Sequence, residues 1–331
     1  MEAGIESGAR PALARRNLTL ITGATGFVGH AVMRRILADS SQEVLVPFRR
    51  ETVWGEERVR PMWVPDLATF DRWGDALAGV DAVVHCAARV HVMNDGAADP
   101  LTEFRRTNVQ GTLNLAKQAA VAGVRRFVFI SSVKVNGEWT QADLPFTAEQ
   151  APAPQDDYGI SKLEAEEGLR ELAQTTSMEI VVIRPPLVYG PGVKANFASM
   201  VRWLKRGMPL PLGAIVNRRS LVALDNLVDL VAVALVHPRA AGQTFMVSDG
   251  EDVSTTELLR RTAEALGQRA RLLPVPMSWL EFAAAVLGKR AVAQRLCGSL
   301  QVDIAKTCDL LGWRPPVSLD EALRRAVRSA T

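Results

Sequence analysis

Tyr158 and Lys162 stand four residues apart in Tyr158-Gly-Ile-Ser-Lys162. On a helix that separation puts a phenol and an ammonium on one face, one turn apart. A nearby cation favours phenolate and lowers a tyrosine pKa towards working pH, as an acid/base group requires. Ser132 follows the apolar run Phe127–Ser131. A strand there would set its hydroxyl at the carboxyl edge of a parallel sheet, where α/β proteins bind ligands. Alone, the Tyr–Lys pair reads as an ordinary helix-surface contact. A second motif gives it weight.

That motif is Thr22-Gly23-Ala24-Thr25-Gly26-Phe27-Val28-Gly29, between the apolar run Leu18–Ile21 and a helical pattern of Val28, Val32, Met33, Ile36 and Leu37. Gly23 permits a tight turn, Gly26 lets backbone N–H groups approach a diphosphate, and Gly29 lets the helix pack close on the sheet. The helix N-terminus then points its free N–H groups and positive dipole end at the phosphates. Strand, turn and helix fall where dinucleotide binding needs them.

The elements that hold these residues read as alternating strands and helices. Strands are expected at 18–22, 43–48, 60–64, 81–86, 126–131 and 179–184, and helices at 27–38, 69–78, 101–122 and 157–175. This alternation predicts a doubly wound α/β fold, a parallel sheet with helices on both faces. Past Arg184 prolines and glycines interrupt the chain, and helices are expected at Asn196–Arg206, Thr255–Leu266, Ser278–Leu287 and Leu319–Val327. Leu221–Val236 and Phe245–Val247 are expected to return to the sheet edge. The division is thus an N-terminal extension over 1–16, a dinucleotide-binding domain over 17–184, and a smaller mixed substrate lobe over 185–331.

With 331 residues, 48% hydrophobic and 23% charged, the chain has an ordinary globular composition and room for a large core. A net charge of +3 is too small to argue for nucleic acid or a membrane surface. Cys86, Cys297 and Cys308 form no CxxC pair and no metal-ligand spacing, which fits free thiols in a reducing cytoplasm. No apolar stretch reaches the length of a membrane span, and Met1–Arg16 lacks the apolar centre of a signal peptide.

Taken together, the motifs resemble an extended short-chain dehydrogenase/reductase of the NAD-dependent epimerase/dehydratase family. Besides the glycine turn, Ser132 and the Tyr–Lys pair, the chain carries His85-Cys86-Ala87-Ala88, Arg184-Pro185-Pro186-Leu187-Val188-Tyr189-Gly190-Pro191-Gly192 and Arg219-Ser220-Leu221-Val222-Ala223-Leu224-Asp225, in family order. Within that family it looks most similar to bacterial O-antigen enzymes acting at C4 of UDP-N-acetylhexosamines.

The resemblance implies roles by position. Tyr158 would be the acid/base, Lys162 would hold the nicotinamide ribose, and Ser132 would hold the C4 oxygen. Gly23, Gly26, Phe27, Val28 and Gly29 would cradle the cofactor's diphosphate. Asp66, with Leu67 beside it, matches the residue that contacts adenine, although a loop Asp capping the next turn reads equally well. Ala87 and Ala88 would leave room for the cofactor, with Asn108 and Pro185 beside it. Arg219 would grip the substrate diphosphate. Asn196 and Phe197 would pass the uracil.

Two departures matter. Val46-Pro47-Phe48-Arg49-Arg50 lacks the acid that would bind an adenosine ribose 2′-OH, and Arg49 and Arg50 suit a 2′-phosphate, so NADP(H) is favoured, with NAD(H) open. Ser132 is followed by Val133-Lys134, where the family's 4,6-dehydratases carry Asp-Glu. The leading expectation is a 4-ketoreductase of a UDP-4-keto-6-deoxy-N-acetylhexosamine. The alternative is a UDP-glucose or UDP-N-acetylglucosamine 4-epimerase; a non-catalytic dinucleotide sensor is a third, opposed by the retained Tyr–Lys pair. The resemblance also implies a homodimer joined through the helices at 101–122 and 157–175, with Leu163, Leu169 and Leu172 offering apolar surface.

Overall fold

The sheet reverses its winding between two neighbouring strands, β1 (Asn17–Thr22) and β4 (Val80–His85), and that reversal makes the cleft. From β1 the chain winds through α1 (Phe27–Leu37), β2 (Gln42–Phe48), β3 (Val59–Trp63) and the short α2 (Trp73–Ala76) before reaching β4. The computed structural model describes residues 17–50, 52, 54–90, 99–141, 143–193, 196–288 and 290–329; the extension expected at 1–16 lies outside them. Beyond β4 come α3 (Pro100–Phe104), a π-helical stretch Arg105–Gln110, α4 (Gly111–Val121), β5 (Arg126–Ile130), α5 (Asp157–Thr175) and β6 (Glu179–Arg184). Next follow β7 (Leu187–Tyr189), α6 (Asn196–Lys205), β8 (Arg219–Ala223), α7 (Leu224–Val236) and β9 (Thr244–Met246). The last elements are β10 (Asp252–Val253), α8 (Thr255–Ala265), α9 (Met277–Val286), α10 (Arg290–Cys297), α11 (Ala305–Leu311) and α12 (Leu319–Arg328).

The main sheet runs β3-β2-β1-β4-β5-β6-β9, every pairing parallel, with Thr22 opposite His85 at the cleft. Both faces are covered, so the central strands are continuous apolar runs rather than alternating ones. Ile21, Val84 and Val128 face α1 and α7; Leu20, Phe127 and Phe129 face α4 and α5, where Leu115 and Leu169 are fully buried.

Several expectations change, and the helix expected at 69–78 shortens to Trp73–Ala76. The helix expected at 101–122 is interrupted by a π-helical stretch that turns Asn108 into the interior. Leu221–Val236, expected at the sheet edge, is the end of β8 followed by α7, and only β9 joins the main sheet. An apolar run this long fits a buried helix as well as strands, and α7 is buried almost all round. Its Asp229 sits at one edge, accepting from Arg35 (3.4 Å) and the Trp313 indole (3.0 Å). β8 instead forms a small sheet, antiparallel to β10 and parallel to β7, against which α8 and α12 pack. Leu169 lies inside the core, so it offers nothing to a partner.

Candidate active site

The glycine turn follows β1 directly. Gly23 has φ +69°, and a Cβ there would lie 2.8 Å from the Ala87 nitrogen, so only glycine fits between the two strand ends. Gly26 N–H donates to Gly23 O at 2.8 Å, and no side chain caps α1 above it. The first N–H groups of α1 therefore face the cleft with their dipole end open to an anion. A Cβ on Gly29 would strike the Gly23 carbonyl, so this glycine serves the turn itself rather than contact with a strand. Phe27 and Val28 pack against the core and fix the helix start.

Opposite, the end of β4 is held by a chain of buried hydroxyls. Thr112 Oγ1 donates to Asn108 O (2.6 Å) and therefore accepts from His85 Nε2 (2.9 Å). His85 Nδ1 then accepts from Thr22 Oγ1 (2.9 Å), which in turn accepts from Ala87 N–H (3.1 Å). Burial, with Lys162 nearby, drives the His85 pKa down to about 3, so the ring is a neutral strut. Ala87 and Ala88 thus stand, half-buried, against the glycine turn.

Asn108 is buried, and its amide is committed to the protein. It accepts from Arg89 N–H (2.8 Å) and donates to Arg89 O (3.0 Å) and Ser161 Oγ (2.9 Å). Ser161 Oγ donates on to Tyr158 O (2.8 Å). Asn108 therefore clamps the exit of β4 to the turn of α5 that carries Tyr158, which explains the π-helical turn.

Asp156 caps α5, accepting from Gly159 N–H (2.7 Å) and pairing with Lys134. That cap starts the helix so that Tyr158 lies in its first turn beside Ser132, whose hydroxyl accepts from Lys134 N–H (3.2 Å) and favours the ionised phenol. Lys162, 2% exposed, donates to Ile130 O (2.8 Å) and lies 4.3 Å over the Phe129 ring.

The electrostatics depart from the sequence expectation. Desolvation, aided by the Asp156 carboxylate, pushes the Tyr158 phenol up to about 12, although Ser132 pulls the other way. Burial lowers Lys162 to about 8 against the support of Cys86 and Glu166. The lowering of Tyr158 expected from Lys162 is not found: burial and Asp156 set the direction at the phenol.

Behind this pair lies a buried ion network that no periodicity revealed. Glu166, one turn past Lys162, accepts from Ser131 Oγ (2.5 Å) and from Arg184 Nε (3.0 Å) and Nη2 (2.6 Å). Arg184 also donates to Asn136 Oδ1 (2.9 Å), and Asn136 donates to Thr147 O (2.9 Å). Val133 N–H donates to the carbonyl of buried Pro185 (3.0 Å). The ends of β5 and β6 and the helix carrying Tyr158 are thus bolted together.

Other expected residues sit less simply. Asp66 accepts from Ala68 N–H (3.0 Å) and pairs with Arg106, the turn-capping arrangement, and Leu67 packs into the core beside Gly111. Arg49 and Arg50 are exposed just past β2. Phe197 is buried and stacks on Tyr189 (5.7 Å, 30°), so its ring is engaged in the core and not presented to a base. Asn196 opens α6, and its side chain lies outside the described residues. Arg219 is half-buried; its Nη1 donates to Arg295 O (3.0 Å) and Gly298 O (3.1 Å) at the end of α10, and burial lowers its pKa.

The open helix terminus, the glycine cradle and the enclosed Tyr–Lys pair suit a dinucleotide. The profile of the NAD-dependent epimerase/dehydratase family matches residues 19–248. The chain is 47% identical over 311 residues to a UDP-glucose 4-epimerase of Vibrio cholerae, covering 94% of each chain. In fold it is similar to a Bacillus cereus UDP-glucuronic acid 4-epimerase solved with NAD (TM-score 0.75, 20% identity, 95% and 98% of the two chains). It is also similar to the Bordetella bronchiseptica enzyme WbmG solved with NAD (TM-score 0.74, 22% identity, 96% of each chain).

Proposed function

The chain belongs to the NAD-dependent epimerase/dehydratase family, and from that premise we propose that it is a UDP-sugar 4-epimerase. The observation that carries this reading is Tyr158 in the first turn of α5, beside Ser132 past the end of β5 and one turn from buried Lys162. The substrate class comes from the 47% identical relative, which matches over 94% of both chains.

The nicotinamide, when bound, supplies hydride transfer. Ser132 holds the C4 oxygen by its hydroxyl, and Tyr158 removes the C4 hydroxyl proton and later returns it. Lys162, held by Ile130 O over the Phe129 ring, would hold the nicotinamide ribose one turn from the phenol. Neutral His85 and clamped Asn108 keep the strand ends and the Tyr158 turn in place, so that transfer needs little reorganisation. Arg219, fixed by two main-chain carbonyls, offers its fork to the substrate diphosphate.

A second reading rests on Arg49 and Arg50. Exposed at the end of β2 with no acid there, they suit a 2′-phosphate and an NADPH drawn from solution, as net reduction of a 4-keto-sugar requires. One experiment separates the two. The enzyme is given UDP-glucose or UDP-N-acetylglucosamine without added cofactor, and separately a UDP-4-keto-6-deoxy-N-acetylhexosamine with NADPH. Conversion to the C4 epimer without cofactor consumption supports the epimerase; oxidation of one NADPH per keto-sugar hands the assignment to the reductase. A two-fold dimer through α4 and α5 belongs to the same proposal, with Leu163 and Leu172 as contacts; sedimentation showing only monomer at micromolar concentration would oppose it.

A further inference from the structure

α9 turns its larger apolar side chains outward. Trp279, Phe282 and Val286 are 72%, 71% and 71% exposed, at spacings that form one stripe along the helix, and Leu287, just past its end, is 69% exposed. The more enclosed positions, Met277, Leu280, Ala284 and Ala285, lie towards the other side, and no residue of α9 is buried. Leu273 and Val292, about half exposed, flank the stripe in sequence, the latter on α10. A contiguous patch of this kind marks a docking surface.

Charge selects the occupant. From Gln268 to Val302 the sequence has five basic residues and one acidic residue, Glu281, a local excess that the whole-chain charge of +3 conceals. Arg269 and Arg271, exposed, precede the stripe, and Arg295, exposed, lies on α10, which packs against α9. Two copies meeting through this face would bring like charges together. An anionic bilayer complements both features, with an apolar interior for the aromatic rings and phosphates for the arginines. Among the described residues no helix is long and apolar enough to cross a membrane, so the contact is peripheral.

We infer that α9 docks the enzyme on the surface of an anionic phospholipid membrane. The inference is independent of which C4 reaction the cleft carries out. The test is co-sedimentation of the purified full chain with phosphatidylcholine vesicles, with and without phosphatidylglycerol. The protein should pellet with the anionic vesicles and be released by high salt. Trp279→Ser/Phe282→Ser should weaken partitioning on the order of 10²-fold, since each aromatic contributes a side chain's worth of apolar burial. Turnover of the nucleotide sugar and Tm should not change. Arg269→Glu/Arg271→Glu should weaken binding to anionic vesicles while leaving the stripe intact. Equal recovery with anionic and neutral vesicles overturns the inference. So does a Trp279→Ser/Phe282→Ser protein that binds vesicles as before but loses a dimer in sedimentation, which would make the stripe a contact between copies.

Discussion

Glu166 stands one helical turn from Lys162 with both carboxylate oxygens on the guanidinium of Arg184, each side chain at most 2% exposed. The pair lies directly behind Ser131 and so behind Ser132. Breaking one partner of a buried pair leaves the other charge uncompensated. Glu166→Gln should therefore destabilise the protein by roughly 3 kcal/mol, read as a fall in Tm or denaturation midpoint. Unchanged stability would mean that water or Asn136 takes over the Arg184 charge.

Lys162→Met should abolish turnover yet leave the fold no less stable near neutral pH. Burial holds the folded Lys162 pKa at about 8, below its ordinary 10.5, so the folded state binds its proton less tightly than the unfolded chain. Stability from this group then rises with pH between those values, by up to roughly 3 kcal/mol relative to Lys162→Met. Parallel stability curves for the two proteins from pH 8 to 10.5 would contradict this placement.

His85 acts with the same sign in a more acidic window. Its folded pKa of about 3 lies below the ordinary 6.5, so its contribution is complete above 6.5 and is lost on acidification towards 3. The expected slope is about 1.4 kcal/mol per pH unit in that window. Chemical denaturation across the window should show the slope in the wild type and not in His85→Gln.

Cofactor choice follows Arg49 and Arg50. If they bind a 2′-phosphate, Arg49→Ala/Arg50→Ala should weaken NADPH binding by about tenfold or more, the loss of charge-assisted contacts, and leave NADH unchanged. Equal loss for both cofactors, or none, would make the arginines surface charges.

The sequence made the frame of the cleft legible because its residues act locally. Tyr158 and Lys162 share a helix face by spacing alone, and Gly23 marks a turn whose left-handed backbone other residues rarely adopt. The supports behind them are non-local. Glu166 reads from sequence as one more charge on a helix that also carries Glu164 and Glu167; only the arrival of Arg184 from β6 makes it a buried partner. His85 likewise depends on Thr22 and Thr112, from β1 and α4. Phe197 was placed by motif at the uracil, but stacking on Tyr189 takes its ring into the core. The helix over α9 was legible and its outward apolar stripe was not, since a pattern of apolar residues does not say which side meets the protein.

Tyr158→Phe removes only the phenolic oxygen, and loss of acid/base assistance should cost roughly 10²–10⁴ in rate with cofactor affinity retained. A variant turning over like the wild type would take the proton-transfer role away from Tyr158.

The central claim is that hydrogen leaves and returns at C4 on the enzyme. Its direct measurement is to supply UDP-glucose, or UDP-N-acetylglucosamine, deuterated at C4 in ordinary water without added cofactor, and to follow the sugar by NMR. The account predicts the C4 epimer with deuterium retained at C4, at a rate abolished in Lys162→Met. Appearance of solvent hydrogen at C4, or no epimer from either sugar, would contradict it.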